Sequence, residues 1–437
     1  MKICFIPIDN RPVCYTLAQQ ICAMDSEIEL FIPPREMLGG LQRISDIDGI
    51  LDWMEKLSET DSMILSLDTI AYGGLIPSRR GKETFDEIKA RLERLKPLLC
   101  GKKVYAFSSI MRISNNNYNE EEKEYWSEYG KKIFQYSFNG GGETDIPKEI
   151  IDDYLGTRRR NFEVNKLYIE WQKEGLFDTL IFSKDDCAEK GFNVDEAREL
   201  ERLGGKTKTG ADEIPLGLLA RSIEKDIKVF VEYSEPEYKD RISNYEDVSI
   251  EKSVHGQLEL CGYRTVENAE DADLILYVNN FIEKQGEHVM DWDTLDNWGE
   301  RDFTPPAKPY AIADVRYANG ADNKFVEKIL PKLDDNFYGY AGWNTSANTL
   351  GSLLAGVKVR GKCRKWCKDA FKQLQMVRFL DDWAYQANIR VNGQTPDIKE
   401  KMKPFEDRLS KTFGYTKTSS IKYIYPWGRS FEIEVSL

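Results

Sequence analysis

The chain has 437 residues, with 61 Lys and Arg against 74 Asp and Glu, giving a formal charge of −13. That acidic balance excludes general binding to nucleic acid or to anionic membranes, since both need a cationic face. Hydrophobic residues at 41% and aromatics at 12% exclude a disordered chain, and at roughly 150 residues per domain the length allows two or three domains or one barrel with an appendage.

The opening Ile3-Cys4-Phe5-Ile6-Pro7-Ile8 is apolar, but Asp9 and Arg11 follow at once. The run is too short for a secretory leader and has no small-residue cleavage site. No stretch of about 18 apolar residues follows it, so no membrane-spanning helix is expected. The cysteines are scattered, and the Cys363–Cys367 pair has no second Cys or His pair beside it; only His255 and His288 exist. Neither a zinc site nor any other cofactor is expected. These features predict a reduced, cytoplasmic protein.

Short apolar runs then alternate with amphipathic segments. Strands are predicted at 2–8, 28–33, 62–67, 103–110, 179–183, 228–233, 273–278, 310–313 and 337–342. Helices are predicted at 83–99, 147–174, 193–204, 214–225, 247–261, 323–333 and 346–356. Continuous apolar strands between helices mark an α/β fold with a mostly parallel sheet covered on both faces. Its form is either a (β/α)8-like barrel or two doubly wound Rossmann-like halves, plus a C-terminal helical appendage. The appendage reads as one long helix over 362–388, a second over 396–411, and a terminal hairpin of 421–425 with 430–435. The expected division is an N-terminal α/β part at 1–225, a second α/β part at 226–357, and the helical region at 358–437.

Polar residues gather just after the strands. They are Asp9, Asn10 and Arg11; Asp68, Tyr72 and Arg79; Arg112; Asp185 and Asp186; Asp212 and Glu213; Asn280; Asp314, Asn319 and Asp322; and Trp343, Asn344 and Asn348. Carboxyl ends of parallel strands share one edge and build ligand sites, so these groups are expected to converge on one cleft. Helix capping is the plainer account for Asp195, Asn323 and Thr345. It is weaker for Arg11, Arg112, Asp185, Trp343 and Asn344, since a cap needs neither Arg nor Trp.

Asp185-Asp186 is the sharpest element. Adjacent carboxylates raise one another's proton affinity, so one can act as an acid while its neighbour stays ionised. Glycoside hydrolysis uses that division of labour, and in its substrate-assisted form an N-acetyl group is the nucleophile. Asp212-Glu213 is the rival pair, either capping the next helix or supplying a second acid. Trp343 would stack on a sugar ring, and Asn344, Asn280, Asn319 and Asp68 would bind its hydroxyls. Arg11, Arg79 and Arg112 suit a carboxylate or phosphate, so an acidic sugar reconciles both sets. A divalent ion held by Asp9, Asp68, Asp314 and Asp322 is the alternative, since hard cations need only oxygen ligands. Asn139-Gly140-Gly141-Gly142 lacks phosphate-loop spacing and reads as a loop.

The motifs Pro7-Ile8-Asp9-Asn10-Arg11-Pro12, Tyr72 to Arg79, Asp185-Asp186, Gly210 to Glu213, Ala318 to Asp322 and Gly342 to Gly351 together resemble a bacterial family known only as a domain of unknown function. The chain also resembles, more loosely, retaining N-acetylhexosaminidases with an Asp-Asp pair at a strand end. That resemblance implies that Asp185 polarises the acetamido group and Asp186 is the acid/base. The resulting expectation is a glycoside hydrolase acting on a small N-acetylhexosamine-containing or acidic saccharide. The alternatives are a Mg²⁺-dependent enzyme on a phosphorylated or carboxylated metabolite and a non-catalytic sugar-binding protein. The partner is a small molecule or oligosaccharide; the sequence leaves homo-oligomer formation open.

Overall fold

The structure is a computed structural model that describes every residue except Ser58, Asp186, Cys187 and Glu300. It divides into two units, Met1–Tyr15 with Glu29–Leu218, and Thr16–Ile28 with Leu219–Leu437. Relative to the division expected from sequence, the break falls at 218/219, residues 358–437 belong to the second unit, and Thr16–Ile28 joins them there.

The first unit holds a parallel sheet of β1 (Lys2–Ile6), β2 (Glu29–Phe31), β3 (Ser62–Ser66), β4 (Lys103–Ile110), β5 (Thr179–Lys184) and β6 (Thr207–Thr209), in the order β2-β1-β3-β4-β5-β6. Its central strands are buried along nearly their whole length, which is why they read as continuous apolar runs. The helix Phe85–Leu99 shows how the covering layer forms. Thr84 and Glu87 make a reciprocal capping box at its start, and Ile88, Leu92, Leu95 and Leu99 form one buried stripe. Leu92 has no exposed surface. Leu92→Ala should cost about 2–5 kcal/mol, seen as a lower urea midpoint at unchanged slope.

The second unit holds β7 (Lys228–Tyr233), β8 (Arg264–Thr265), β9 (Leu274–Asn279), β11 (Tyr310–Asp314) and β13 (Phe337–Ala341), all parallel, in the order β13-β11-β9-β7-β8. A two-residue pair, β10 (Gly286–Glu287) with β12 (Tyr317–Ala318), lies in the loops. Two open sheets take the place of a barrel, so of the two expected forms the paired Rossmann-like halves describe the chain. The terminal hairpin is antiparallel β14 (Lys422–Ile424) and β15 (Glu434–Ser436).

The stretch 362–388 differs from the single helix expected. One helix ends at Lys362, a second runs Lys368–Arg378, and Phe379–Ile389 continues with wider i→i+5 winding. That last turn buries Asp382, whose Oδ2 accepts from the Gly342 N–H at 2.7 Å and pairs with Arg378 at 2.9 Å. The distortion therefore anchors the loop after β13. Among the described residues, no helix is long and apolar enough to cross a membrane.

Candidate functional site

The first unit gathers ionisable groups at the carboxyl ends of β1, β3, β4 and β5. After β1 the chain turns so that Asp9 accepts from the Arg11 backbone N–H at 2.9 Å and from its Nε at 2.8 Å. The guanidinium also grips Asp212, with Nη2 to Oδ1 at 2.5 Å and Nη1 to Oδ2 at 3.1 Å. All three residues are buried. Burial is the main force raising the proton affinity of Asp212; Arg11 opposes it, while Asp9 and Asp185 add to it. Asp185 thus lies within electrostatic reach of Asp212.

Asp9, Cys14 and Asp212 bring ligand atoms within 4.8 Å of one another. Their centre is not an open cation site, because the Arg11 Nη2 contacts Asp9, Cys14 and Asp212 and supplies the positive charge. The Gly-Ala-Asp-Glu turn explains itself locally. Gly210 adopts φ 109°, and a side chain there would strike the Glu213 carboxylate, which accepts from the Ala211 N–H at 3.1 Å. Asp212 and Glu213 therefore have separate tasks, one on Arg11 and one inside the turn.

The second group surrounds Asp185. Arg112 Nη1 is 3.3 Å from Asp185, its Nε is 3.1 Å from Glu122 and its Nη2 is 2.7 Å from Glu121. Arg79, 1% exposed, donates from Nη1 to Glu122 at 2.8 Å. Its Nη2 is buried without a hydrogen-bond acceptor and lies 4.0 Å from Asp185. Asp185 keeps 21% of its side chain exposed. Asp186 lies outside the described residues.

Asp68 is buried beneath this rim, accepting from the Ser109 N–H at 2.9 Å and the Ser108 hydroxyl at 3.1 Å. Burial raises its pKa to about 6, against those hydrogen bonds and the charge of Arg79. Tyr72 is buried with Arg160 over its ring at 5.3 Å, and the Asn10 carbonyl accepts from Arg35 at 2.9 Å. Gly73 at φ 84° lets the chain leave the helix Leu67–Tyr72, and a Cβ there would collide with Ile44.

The remaining candidates belong to the second sheet. Asp314, fully buried at the end of β11, accepts from Asn279 at 2.8 Å, the Asp322 N–H at 2.8 Å and the Tyr340 hydroxyl at 2.9 Å. Asp322 caps the helix Asn323–Ile329 and faces Arg316 Nε at 3.3 Å. Capping thus falls to Asp322 where Asn323 was expected, Asp195 sits in the first turn of its helix, and Thr345 does cap its own. Asn280 is consumed by the loop after β7, bonding Ser234 and the Glu235 backbone.

Trp343 corrects the expectation of a stacking ring. It is 3% exposed and packs on Phe431, because the loop after β13 turns inward toward Asp382. Asn344 has φ 70° and its carbonyl accepts from the Asn319 N–H at 3.0 Å. Asn348 donates from Nδ2 to the Thr345 hydroxyl at 3.4 Å. The expected set thus divides between two sheet edges. Asp9, Asn10, Arg11, Asp68, Tyr72, Arg79, Arg112, Asp185, Asp212 and Glu213 belong to the first unit, and Asn280, Asp314, Asn319, Asp322, Trp343, Asn344 and Asn348 to the second. Glu122, Ser108, Cys14, Arg316 and Asp382 escaped sequence reasoning; Asp381-Asp382 carried the same adjacent-acid signal as Asp185-Asp186.

Asp314 predicts a pH effect. Burial first, then the charge of Asp322, raise its pKa from 3.8 to about 7. The folded state then holds a proton that the unfolded state releases, so this stabilisation is complete below about pH 4 and lost as pH rises through about 7. Asp314→Asn should reduce the fall in unfolding free energy between pH 5 and pH 8 by roughly 1–3 kcal/mol in urea titrations. An unchanged slope would show that the carboxyl titrates normally.

The chain belongs to the family described as "Protein of unknown function (DUF4127)", which matches residues 3–436. A comparison with curated proteins gave no match. Among solved structures, a UGT transferase from Siraitia grosvenorii in complex with UDP aligns with TM-score 0.20 and 11% identity, covering 93% of this chain and 99% of that one. A likeness at that level carries no argument about fold or chemistry.

Proposed function

We propose that the protein is a cytoplasmic glycoside hydrolase acting on a small saccharide with an N-acetylhexosamine or acidic sugar, using Asp185 and Asp186. The observation that supports it most is the pairing of a buried, unsatisfied Arg79 Nη2 with the partly exposed Asp185 carboxylate 4.0 Å away. A buried donor without an acceptor is costly, and a substrate oxygen arriving beside Asp185 would complete it. A carboxylate or acetamido oxygen has the right chemistry. In the substrate-assisted reaction the acetamido oxygen attacks the anomeric carbon while Asp185 orients the amide and stabilises the positive charge that grows on it. Asp186 protonates the leaving oxygen and then deprotonates water. The Asp186 role follows from the resemblance to Asp-Asp hexosaminidases.

The absence of a disulfide among the described cysteines fits a reducing compartment. The charge of −13 fits a small-molecule substrate better than nucleic acid or membrane. A second reading, a divalent-ion enzyme on a phosphorylated or carboxylated metabolite, draws on the closeness of Asp9, Cys14 and Asp212. It requires Arg11 to leave its two carboxylates, which weighs against it.

The test is turnover of aryl N-acetylglucosaminide, N-acetylgalactosaminide and glucuronide, with and without EDTA. Hydrolysis that survives EDTA supports the first reading. Turnover abolished by EDTA and restored by Mg²⁺ moves the assignment to the second, and no turnover on any glycoside overturns the hydrolase.

A further inference from the structure

The second sheet concentrates strained backbone at its strand ends. Among the described residues, every non-glycine with left-handed φ lies in the second unit, and five of the six lie in loops that follow β7, β9, β11 or β13: Tyr245, Glu283, Asp291, Asn319 and Asn344. In open parallel sheets those loops form the ligand-binding edge. Residues held in such conformations persist where the surroundings over-determine them, and ligand sites are where they gather.

Glu287 ties these loops together. Its Oε2 accepts from the Tyr245 hydroxyl at 2.6 Å and its Oε1 from Asn319 Nδ2 at 2.8 Å. Its backbone exchanges two 3.0 Å hydrogen bonds with Trp292. The rings of Tyr245 and Trp292 lie within 24° of parallel, 6.5 Å between centroids. They stay 40% and 43% exposed. Of the ten large hydrophobic residues described as exposed, these two and Ile242, Val289, Met290 and Leu295 all belong to the loops after β7 and β9. Apolar surface gathered in this way marks a binding surface.

Behind the two rings lies a buried acceptor that has no donor. Asn319 is 6% exposed, and its Nδ2 must face the Glu287 carboxylate, which fixes the amide orientation. Its Oδ1 is left buried with no hydrogen-bond partner. Glu287 also has lone pairs beyond the two in use. The site therefore asks for hydroxyl donors beside an apolar ring face.

We propose that the loops after β7, β9 and β11 form a binding site for a neutral pyranoside, its CH face on the Tyr245–Trp292 ledge and its hydroxyls donating to Glu287 and Asn319 Oδ1. Charge selects the neutral ligand. The exposed Asp291 and Asp293 repel anions. A cation is not called for, since Arg390 already lies within electrostatic reach of Glu287, and two near-parallel rings make a ledge instead of a cage. This goes beyond the hydrolytic reading, because every residue in it belongs to the second unit and none breaks a bond.

The experiment is saturation-transfer NMR on the full chain carrying Asp185→Asn, so that hydrolysis cannot mask binding. The probes are methyl glycosides of glucose, galactose, mannose and N-acetylglucosamine, with methyl glucuronide and choline as charged controls. At least one neutral glycoside should show ring-proton saturation. Titration should show it weakened about tenfold or more by Trp292→Ala, as for loss of an aromatic anchor. The isosteric Glu287→Gln should weaken it too, and it keeps the ledge intact if Trp292→Ala fails to fold. Binding of charged probes only, or of no probe, overturns the proposal, as does undiminished binding in a folded Trp292→Ala or in Glu287→Gln. A chain that hydrolyses no glycoside yet passes this test defeats the hydrolase alone, and a hydrolase that fails it defeats this site alone.

Discussion

Arg11→Met should destabilise the protein by about 3–5 kcal/mol at pH 8, a large part of the 5–15 kcal/mol that holds a typical domain together. The Arg11 guanidinium is the shared partner of Asp9 and Asp212, with contacts of 2.5–3.1 Å, and all three residues are buried. Removing it leaves two carboxylates facing each other away from water. The damage should be pH-dependent with a definite sign. Burial already raises the proton affinity of Asp212, and Asp9 and Asp185 add to it, so losing Arg11 raises it further. The folded variant then holds a proton that the unfolded chain gives up, and stability is recovered as pH falls toward 5. Adding Asp9→Asn and Asp212→Asn to the variant should restore part of the loss, because a neutral cluster leaves no buried charge unpaired. Urea midpoints at pH 5 and pH 8 decide it. A cost below about 1 kcal/mol at pH 8 would mean that water reaches the cluster and screens it.

The same residues show what a sequence can and cannot reveal. The central strands were legible because burial on both faces leaves an apolar run, and Phe85–Leu99 because its stripe recurs at helical spacing. The segment 67–80 was not. It forms the helices Leu67–Tyr72 and Leu75–Arg80, buried almost throughout, so no polar face exposes their period. The break after Lys362 and the wide winding of Phe379–Ile389 were invisible for the opposite reason. A stripe of Phe, Leu and Trp fits one long helix as well as two shorter ones with different winding.

The site follows the same rule. Arg11, Arg79 and Arg112 stood out because no capping role explains an arginine after a strand. Which acid each would meet did not, since the pairing of Arg79 with Glu122 spans 43 residues and that of Arg11 with Asp212 spans 201. Convergence on one cleft presumed one sheet. The strands form two, so Asp9 and Asp68 end on one sheet while Asp314 and Asp322 follow a strand of the other. The αL position of Asn319 did have a signal, the Asn319-Gly320 dipeptide, which favours tight turns.

Asp185→Asn should lower kcat for an N-acetylhexosaminide about 10²–10⁴-fold, the range for a positioned carboxylate in the transition state. The side chain keeps its shape, so the interactions of Arg112 and Arg79 with Glu122 remain and the fold should be unaffected. In the proposed reaction, what disappears is the negative charge that would face the cation formed as the acetamido oxygen attacks. Because the charge counts most as the cation develops, and an asparagine carbonyl can still accept from the amide N–H, kcat and kcat/KM should fall together while KM changes little. A KM effect belongs instead to Arg79, whose open Nη2 would meet a substrate oxygen in the ground state. Arg79→Lys should therefore raise KM more than it lowers kcat, since a lysine cannot reach both Glu122 and the substrate. Replacing the acetamido group by a hydroxyl separates the roles further. If Asp185 acts through the acetamido group, the deoxyacetamido substrate should be poor for the parent, and Asp185→Asn should slow it far less than it slows the N-acetyl substrate. Equal slowing of both substrates would place Asp185 in direct contact with the anomeric carbon or the leaving oxygen, and full activity in Asp185→Asn would remove it from the reaction.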